Sequence, residues 1–293
     1  MTSEILQKAD PLAQARQRTQ AFQQRMKDEG IDVALITDES SIAYLAGFWG
    51  YLSVEFGRPT FLLVRPDDMP VVITPLMESE MVSSMTWVEQ VLTWEDAGEN
   101  RWENVLAGAL GDRPGKLGVE AHSLPGMVRD QLLSHQPGST LFDIGNLLGK
   151  MRMIKSDEEI GVMRQAGEIA GAMMAAAENA LAEGIPEYEA ALAVINAGTR
   201  KAAGFLTDRG WESFVSPMIH NLQIMQSGRD TAMVHRRASV KKLAHGDPGY
   251  FCVCNMAQCN QDQLGFDRRF VMGLVSDDAA RVPQGAIDAQ QAA

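Results

Sequence analysis

Short apolar runs alternate with amphipathic stretches along the first half of the chain. This pattern predicts an α/β domain with a mainly parallel or mixed sheet, because strands that alternate with helices pack as layers. The domain is expected to end near residue 150. The strand-like runs are 32–37, 61–64, 70–74, 88–94, 117–121 and 139–144, and the helix-like stretches are 11–29, 76–85, 101–110 and 124–134.

A long amphipathic helix is predicted directly after this domain. Ser156 followed three residues later by Glu159 forms a capping box, which satisfies free N–H groups at a helix start. The apolar positions that follow recur at helical spacing and indicate one buried face. They are Ile160, Met163, Ile169, Met173 and Ala177.

A second helix is predicted over 184–204, with Pro186 in its first turn, where the missing N–H costs nothing. Strand-like segments and a loop-rich stretch follow. We therefore expect two domains, 1–155 and 156–293, with the boundary set by the change from α/β alternation to long helices.

Composition and charge narrow the class of protein. The 293 residues are enough for two cores, and the net charge of −12 argues against a nucleic-acid partner, whose phosphates attract clustered cations. It is compatible with a small cationic or zwitterionic substrate. The chain has only three cysteines, no apolar run of membrane-spanning length and no signal-peptide pattern, so we expect a cytoplasmic protein.

The three cysteines raise the possibility of a metal or nucleophile site. Cys252, Cys254 and Cys259 have C-x-C-x₄-C spacing, but a structural zinc site needs four ligands, usually in two pairs. A reactive thiolate needs a nearby base, whereas an apolar strand raises the thiol pKa. Because YFCVC is a continuous apolar run, we interpret these cysteines as core-filling residues of a buried strand.

His235 and Asp267 are the candidate polar site residues. Strand alternation in LGFDRRF places Asp267 and Arg269 on one face, and Phe266, Arg268 and Phe270 on the other. An acid that faces an imidazole could fix its tautomer, or could bind a cation. Spacing alone leaves both readings open.

Four segments together resemble the creatinase branch of the pita-bread superfamily, which also contains aminopeptidase P, prolidase and methionine aminopeptidase. They are FGRP (56–59), MRMIKSDEE (151–159), IPEYEAAL (185–192) and SGRDTAMVHRRASVKKLAHGD (227–247). The resemblance implies an α/β N-terminal domain followed by an α+β pita-bread catalytic domain. It covers most of the chain.

The resemblance implies that no metal or other cofactor is used. In metal-dependent pita-bread enzymes, two adjacent strands each carry a metal-binding Asp. Here Cys252 occupies the first position, and Gly265, three residues before Arg268, occupies the second. Neither is a hard oxygen ligand for Mn, Co or Zn.

The resemblance also implies roles for four residues. His235 matches the general acid/base of creatinase, and Asp267 matches the acid that binds the substrate guanidinium, although the family has Glu there. Phe56 and Arg58 match the pair that reaches the substrate carboxylate of the neighbouring subunit, which implies a homodimer with shared active sites. The implied reaction converts creatine or a similar zwitterion and water to urea and a sarcosine-like product.

Two departures from the family pattern bear on these expectations. The loop AQCNQDQ is about two residues longer than in creatinase, and the catalytic domain of the family is about twice as long as residues 156–293. We therefore expect an incomplete catalytic domain, low activity, and strands around 250–272 that lack partners. The alternatives are an Xaa-Pro peptidase of the M24 type with an altered metal site, and a non-catalytic remnant that dimerises or binds ligand.

Overall fold

The computed structural model describes residues 11–48, 57–112, 115–209, 215–219, 224–253, 257–259, 262–265, 267–274 and 277–292. The chain divides into two compact units, the N-terminal unit Met1–Ser156 and the C-terminal unit Asp157–Ala293. This division falls one residue after the boundary that the sequence predicts. None of the described helices is both long enough and apolar enough to cross a membrane.

The N-terminal unit is built on a six-stranded mixed sheet of order β4-β3-β2-β1-β5-β6. Only β2 runs antiparallel to its neighbours; the other adjacent pairs are parallel. The strands are β1 Val33–Ile36, β2 Phe61–Val64, β3 Val71–Pro75, β4 Gln90–Trp94, β5 Lys116–Val119 and β6 Thr140–Asp143. The α/β layer architecture predicted from the alternating pattern is therefore confirmed.

In the described part of the N-terminal unit, six helices cover both faces of this sheet. They are α1 Pro11–Glu29, α2 Glu39–Ala46, α3 Ser79–Met85, α4 Trp102–Leu110, α5 Gly126–His135 and α6 Gly145–Met153. Helices α1, α2, α3 and α6 pack against one face, around Phe22 and Leu62, while α4 and α5 pack against the other, around Phe61 and Leu106. Phe61 and Leu62 are consecutive residues of β2, so their side chains point to opposite faces of the sheet and each contributes to a different core.

The described part of the C-terminal unit contains two long helices, a shorter third helix near its end, and a small antiparallel sheet. Its helices are α7 Asp157–Ala180, α8 Glu187–Arg209 and α9 Asp277–Ala292. Its strands are β7 Ile224–Ser227, β8 Pro248–Cys252, β9 Ala257–Cys259, β10 Asp262–Leu264 and β11 Asp267–Val271. One sheet has the order β11-β8-β7, and β9 and β10 form a separate hairpin.

The buried face of α7 differs slightly from the predicted one. Ile169, Met173 and Ala177 are buried as expected, but Ile160 and Met163 are only half-buried. The remaining buried positions on this face are filled by Gly161, Val162, Ala166 and Ala170. The face packs against the apolar side of the small sheet, where Met225 and Phe251 lie in the same core.

Two sequence predictions for this unit are wrong in detail. The helix predicted over 184–204 begins at Glu187 and ends at Arg209, because Pro186 forms a β-bridge with Lys242 before the helix starts. The strands around 250–272 do have partners, since β8 pairs with β7 on one side and β11 on the other. In the described part of the chain, β11 is the outer strand of that sheet.

Candidate active site

His235 lies in the loop between β7 and β8, after a short 3-10 turn at Gly228–Ala232. Its side chain is exposed, and its backbone has φ of +63°. It is the one non-glycine residue among those described that adopts the left-handed region. For an L residue this conformation is unfavourable, so the surrounding structure must hold it.

Gln226 of β7 holds the His235 loop from the sheet side. Its Nε2 donates to the carbonyl oxygen of Met233 at 2.6 Å and to that of Arg236 at 3.4 Å. Ile224 of the same strand forms a β-bridge with Arg237. The backbone on both sides of His235 is therefore attached to β7.

Glu187, the first residue of α8, holds the same loop from the other side. Its side chain is fully buried and accepts hydrogen bonds from Ser227 Oγ at 2.7 Å, Arg236 NH1 at 2.8 Å, and Ser239 N and Oγ at 3.0 and 2.7 Å. Burial alone would raise the pKa of Glu187, but the hydrogen bonds from Ser227, Ser239 and Arg236 lower it below its usual range. The residue is therefore a carboxylate at neutral pH.

Additional ion pairs extend this network. The Asp230 carboxylate pairs with Arg236 NH2 at 3.2 Å and with Lys241 Nζ at 3.4 Å. Lys241 Nζ also donates to the carbonyl oxygen of Ser227. Charged side chains thus connect the start and the end of the loop that carries His235.

Asp267 begins β11, directly opposite Cys252 on β8. Its Oδ2 accepts a hydrogen bond of 3.0 Å from the hydroxyl of Tyr250. Burial raises the pKa of Tyr250, and the Asp267 carboxylate raises it further, since an ionised phenol would face a negative charge. Tyr250 therefore stays a donor that orients the Asp267 carboxylate.

The sheet register places these groups on one face. Gln226 is opposite Tyr250, Tyr250 is opposite Arg269, and Asp267 is opposite Cys252, and directly opposed residues point the same way. The other face carries Phe270, whose ring centroid lies 5.5 Å from that of Phe251. The predicted alternation of Asp267 and Phe270 is confirmed, whereas Phe266 lies outside the described residues.

Consequently, the structure attaches the His235 loop to the sheet face that carries Asp267. The hydrogen bond to the Asp267 carboxylate comes from Tyr250, and a contact with the His235 imidazole stays a prediction.

Arg58 belongs to the N-terminal unit and precedes β2. Its NH2 pairs with Asp96 Oδ2 at 2.5 Å, and its NH1 contacts Met77 Sδ at 3.3 Å. The side chain keeps about a third of its surface exposed (32%), so this guanidinium already holds one carboxylate at the surface. Phe56 lies outside the described residues.

Two of the three cysteines lie among the described residues. Cys252 is buried at the end of β8, as expected, but the register places it on the sheet face of Asp267 rather than on the apolar face. Cys259 ends β9, and Cys254 lies outside the described residues. Gly265 has no side chain to offer as a ligand. Within the ranges that the structure describes, no three His, Cys, Asp or Glu side chains are grouped so that they could hold a metal ion. At the two expected carboxylate positions, Cys252 and Gly265 therefore do not supply the hard oxygen ligands that a dinuclear Mn, Co or Zn site needs.

Sequence reasoning did not single out Glu187, Gln226 or Tyr250. A signal for Glu187 was nevertheless present, because it falls in helical register with the buried Ala190, Ala191 and Val194. An acid at an apolar position of an amphipathic helix needs partners, and here the loop supplies them.

The chain was compared with known proteins. Residues 18–154 match the family described as Creatinase/Prolidase N-terminal domain, and residues 161–292 match Metallopeptidase family M24. The chain is 24% identical to the agropine synthesis cyclase of Rhizobium rhizogenes over 81% of its length, and 28% identical to the creatinase of Bacillus sp. (strain B-0618) over 78%. It spans 61% and 54% of the length of these two relatives.

The solved structures agree in fold. The prolidase of Thermococcus sibiricus superposes with a TM-score of 0.79 at 21% identity, and the match covers 94% of this chain and 71% of the prolidase. Together the two family matches account for most of the sequence. This chain combines a creatinase-type N-terminal domain with an M24-type domain and belongs to the pita-bread superfamily of creatinases, prolidases and M24 peptidases.

Proposed function

We propose that this chain carries the acid/base half of a metal-independent C–N hydrolase of the creatinase type. The observation that carries the proposal is the pair Cys252 and Gly265 at the two expected metal-carboxylate positions. Cys252 lies on β8, in the sheet that also holds the His235 loop and Asp267, and Gly265 lies between β10 and β11. A water-activating metal would lack those two ligands, so a side chain must manage the protons. The similarity to creatinase supports the same reading.

In the proposed reaction, water attacks the guanidinium carbon of creatine or a similar zwitterion. His235 takes one proton from the attacking water and delivers it to the nitrogen that leaves, so the C–N bond breaks as the C–O bond forms. A histidine suits this role because its ordinary pKa lies close to neutral pH. Creatine would yield urea and sarcosine.

Charged groups would bind the two ends of the zwitterion. Asp267, oriented by Tyr250, would hold the guanidinium, and Arg58 with Phe56 would bind the carboxylate of a substrate held by the neighbouring subunit of a homodimer. In this structure the Arg58 guanidinium pairs with Asp96, so the proposed role requires that the substrate carboxylate replace or join Asp96 at the same planar fork.

A ring-closing reaction is a second candidate. The relative named agropine synthesis cyclase aligns with 81% of the chain. The same histidine could serve such a reaction if a nucleophilic group of the substrate took the place of water. In that case Asp267 and Arg58 would still select a charged substrate.

The test is turnover by protein that has been dialysed against a chelator. We expect urea release from creatine, or hydrolysis of a related guanidino zwitterion, at a rate that the chelator does not change. Elemental analysis should find no stoichiometric Mn, Co or Zn.

Cleavage of Xaa-Pro dipeptides that requires one or two tightly bound metal ions would overturn the proposal in favour of an M24 peptidase. Conversion of a substrate to its cyclic product without water uptake would favour the cyclase, and an absence of both turnover and binding would favour a non-catalytic protein.

A further inference from the structure

We propose that Glu187 is a positioning residue for His235, which holds the His235 loop in the conformation that the acid/base role requires. The inference rests on the proposed function of His235. It is carried by the hydrogen bonds around a fully buried carboxylate and by the backbone conformation of His235.

The partners of Glu187 lie on both sides of His235 in the chain. Ser227 precedes the loop and donates to Oε1, whereas Arg236 and Ser239 follow His235 and donate to Oε2. One carboxylate therefore fixes the separation between the end of β7 and the residues directly after His235. Arg236 is the immediate neighbour, so its position directly limits the φ and ψ angles available to His235.

A carboxylate matches these donors. Its Oε2 accepts three hydrogen bonds, from Arg236 Nη1 and from Ser239 N and Oγ, while Oε1 accepts from Ser227 Oγ. A glutamine could keep its oxygen toward Arg236 and Ser239 and turn its NH₂ group toward the Ser227 hydroxyl, which can also accept, but these hydrogen bonds would no longer be made to a charged acceptor and would be weaker. The charge on Arg236 would also lose its buried partner, although Asp230 would remain beside it.

The conformation of His235 makes this support necessary. The residue is exposed and has a positive φ, so packing of its own side chain does not hold it there. Gln226 holds the carbonyl groups of Met233 and Arg236 from the sheet, and Glu187 holds the side chains that follow. Without the Glu187 carboxylate, the residues directly after His235 lose their link to Ser227, while the Asp230 ion pairs and the backbone hydrogen bonds from Glu187 N and Tyr188 N to the loop remain. We expect His235 then to relax toward ordinary φ values.

The first measurement is hydrogen exchange by mass spectrometry on Glu187→Gln, with Glu189→Gln as the matched control. Glu189 lies in the same first turn of α8 but is exposed. We expect amides of residues 228–241 to exchange about tenfold faster or more in Glu187→Gln, since charge-assisted hydrogen bonds are lost. Exchange in α7 should stay unchanged, and Glu189→Gln should match the parent throughout.

Ser227→Ala serves as a milder variant if Glu187→Gln does not fold. It removes one of the four hydrogen bonds to Glu187 and leaves the three from Arg236 and Ser239 in place. We expect the same local acceleration at a smaller size. Unchanged exchange in 228–241 in both variants would overturn the proposal, and so would faster exchange across the whole C-terminal unit, because the role would then be general stability.

Turnover distinguishes this inference from the proposed function. In active protein, Glu187→Gln should lower kcat about 10²-fold with little change in KM for creatine, as expected when a catalytic group is misplaced. The exchange measurement needs no substrate, so it tests the hold on the loop even if the proposed reaction is wrong. Local acceleration without a fall in kcat would overturn the catalytic part of the inference.

Discussion

Gly249 gives the sharpest stability prediction, because β11 packs directly on it. A Cβ atom added to Gly249 would lie 1.8 Å from Phe270 Cζ and 2.2 Å from both Cε atoms of the ring. Ordinary contacts begin at 3.4 Å, so the ring would have to retreat by about 1.6 Å. Phe270 is the direct partner of Gly249 in the β8–β11 pairing, and its ring lies over the glycine, so the ring would have to leave this position.

The size of the effect follows from overpacking. The Phe270 ring is also packed on the buried Phe251, which limits where it can move. Inserting a methyl group into such a site typically costs about 1–3 kcal/mol, and we expect Gly249→Ala to fall in the upper part of that range. Because β11 carries Asp267, the same change should also weaken substrate binding.

Gly204 provides the control. It lies exposed in α8, and an added Cβ would meet no atom within 4 Å. Alanine has the better helix propensity, so Gly204→Ala should stabilise the protein by about 0.5–1 kcal/mol. The two Gly→Ala changes, in the same unit, should therefore have opposite signs.

Urea unfolding followed by circular dichroism gives the free energy of unfolding of both variants. The same measurement on Phe270→Ala and on the double variant Gly249→Ala/Phe270→Ala completes a double-mutant cycle. Without the ring, the cost of Gly249→Ala should largely disappear, which gives a coupling of about 1–3 kcal/mol. The reasoning fails if Gly249→Ala is as stable as the parent. It also fails if the cost is the same with and without the Phe270 ring.

Two further predictions concern catalysis and pH. In active protein, His235→Ala should lower kcat by about 10²–10⁴-fold with the fold intact, whereas His245→Ala should be tolerated. Steady-state kinetics on creatine measures both variants, and a larger loss of kcat in His245→Ala than in His235→Ala would contradict the mechanism. Burial raises the pKa of Glu120 above its ordinary value, although Ser41 Oγ donates a hydrogen bond of 2.6 Å to its carboxylate. Protonated Glu120 therefore contributes to the stability of the folded state. This contribution is fully present below about pH 4.5 and is lost as the pH rises through the raised pKa. Glu120→Gln should remove that decline. In urea unfolding followed by tryptophan fluorescence, the free energy of unfolding of the variant should rise relative to that of the parent between about pH 4.5 and 8. A difference in unfolding free energy that does not change with pH would argue against a raised pKa.

Local pattern predicted the elements well where apolar runs were continuous. The run FLLV is β2 with the predicted bounds, and the capping box at Ser156 precedes a helix that starts at Asp157. Helix α2 was missed because its eight residues begin with three polar ones, which gives too short an apolar period to recognise.

The arrangement of the candidate site could not be predicted in the same way. His235 has a left-handed conformation, and its neighbours in the chain are hydrogen-bonded to Glu187 and Gln226, which belong to other elements. No local propensity encodes such contacts. The hydrogen bond from Tyr250 to Asp267 depends on the register of β8 and β11, which fourteen intervening residues separate. Resemblance to creatinase suggested which residues matter, and the structure added how they are held.

The outer strand β11 has a consequence for behaviour in concentrated solution. Among the described strands, none pairs with β11 on the side away from β8, and a strand edge of this kind can pair with another copy of a protein. Its first three residues, Asp267, Arg268 and Arg269, are all charged and exposed. Any strand that added there would meet a row of hydrated charges, a common way in which natural sheets remain dispersed. The carboxylate proposed to bind substrate is one of these charges, so we expect a change of Asp267 to affect solubility as well as rate.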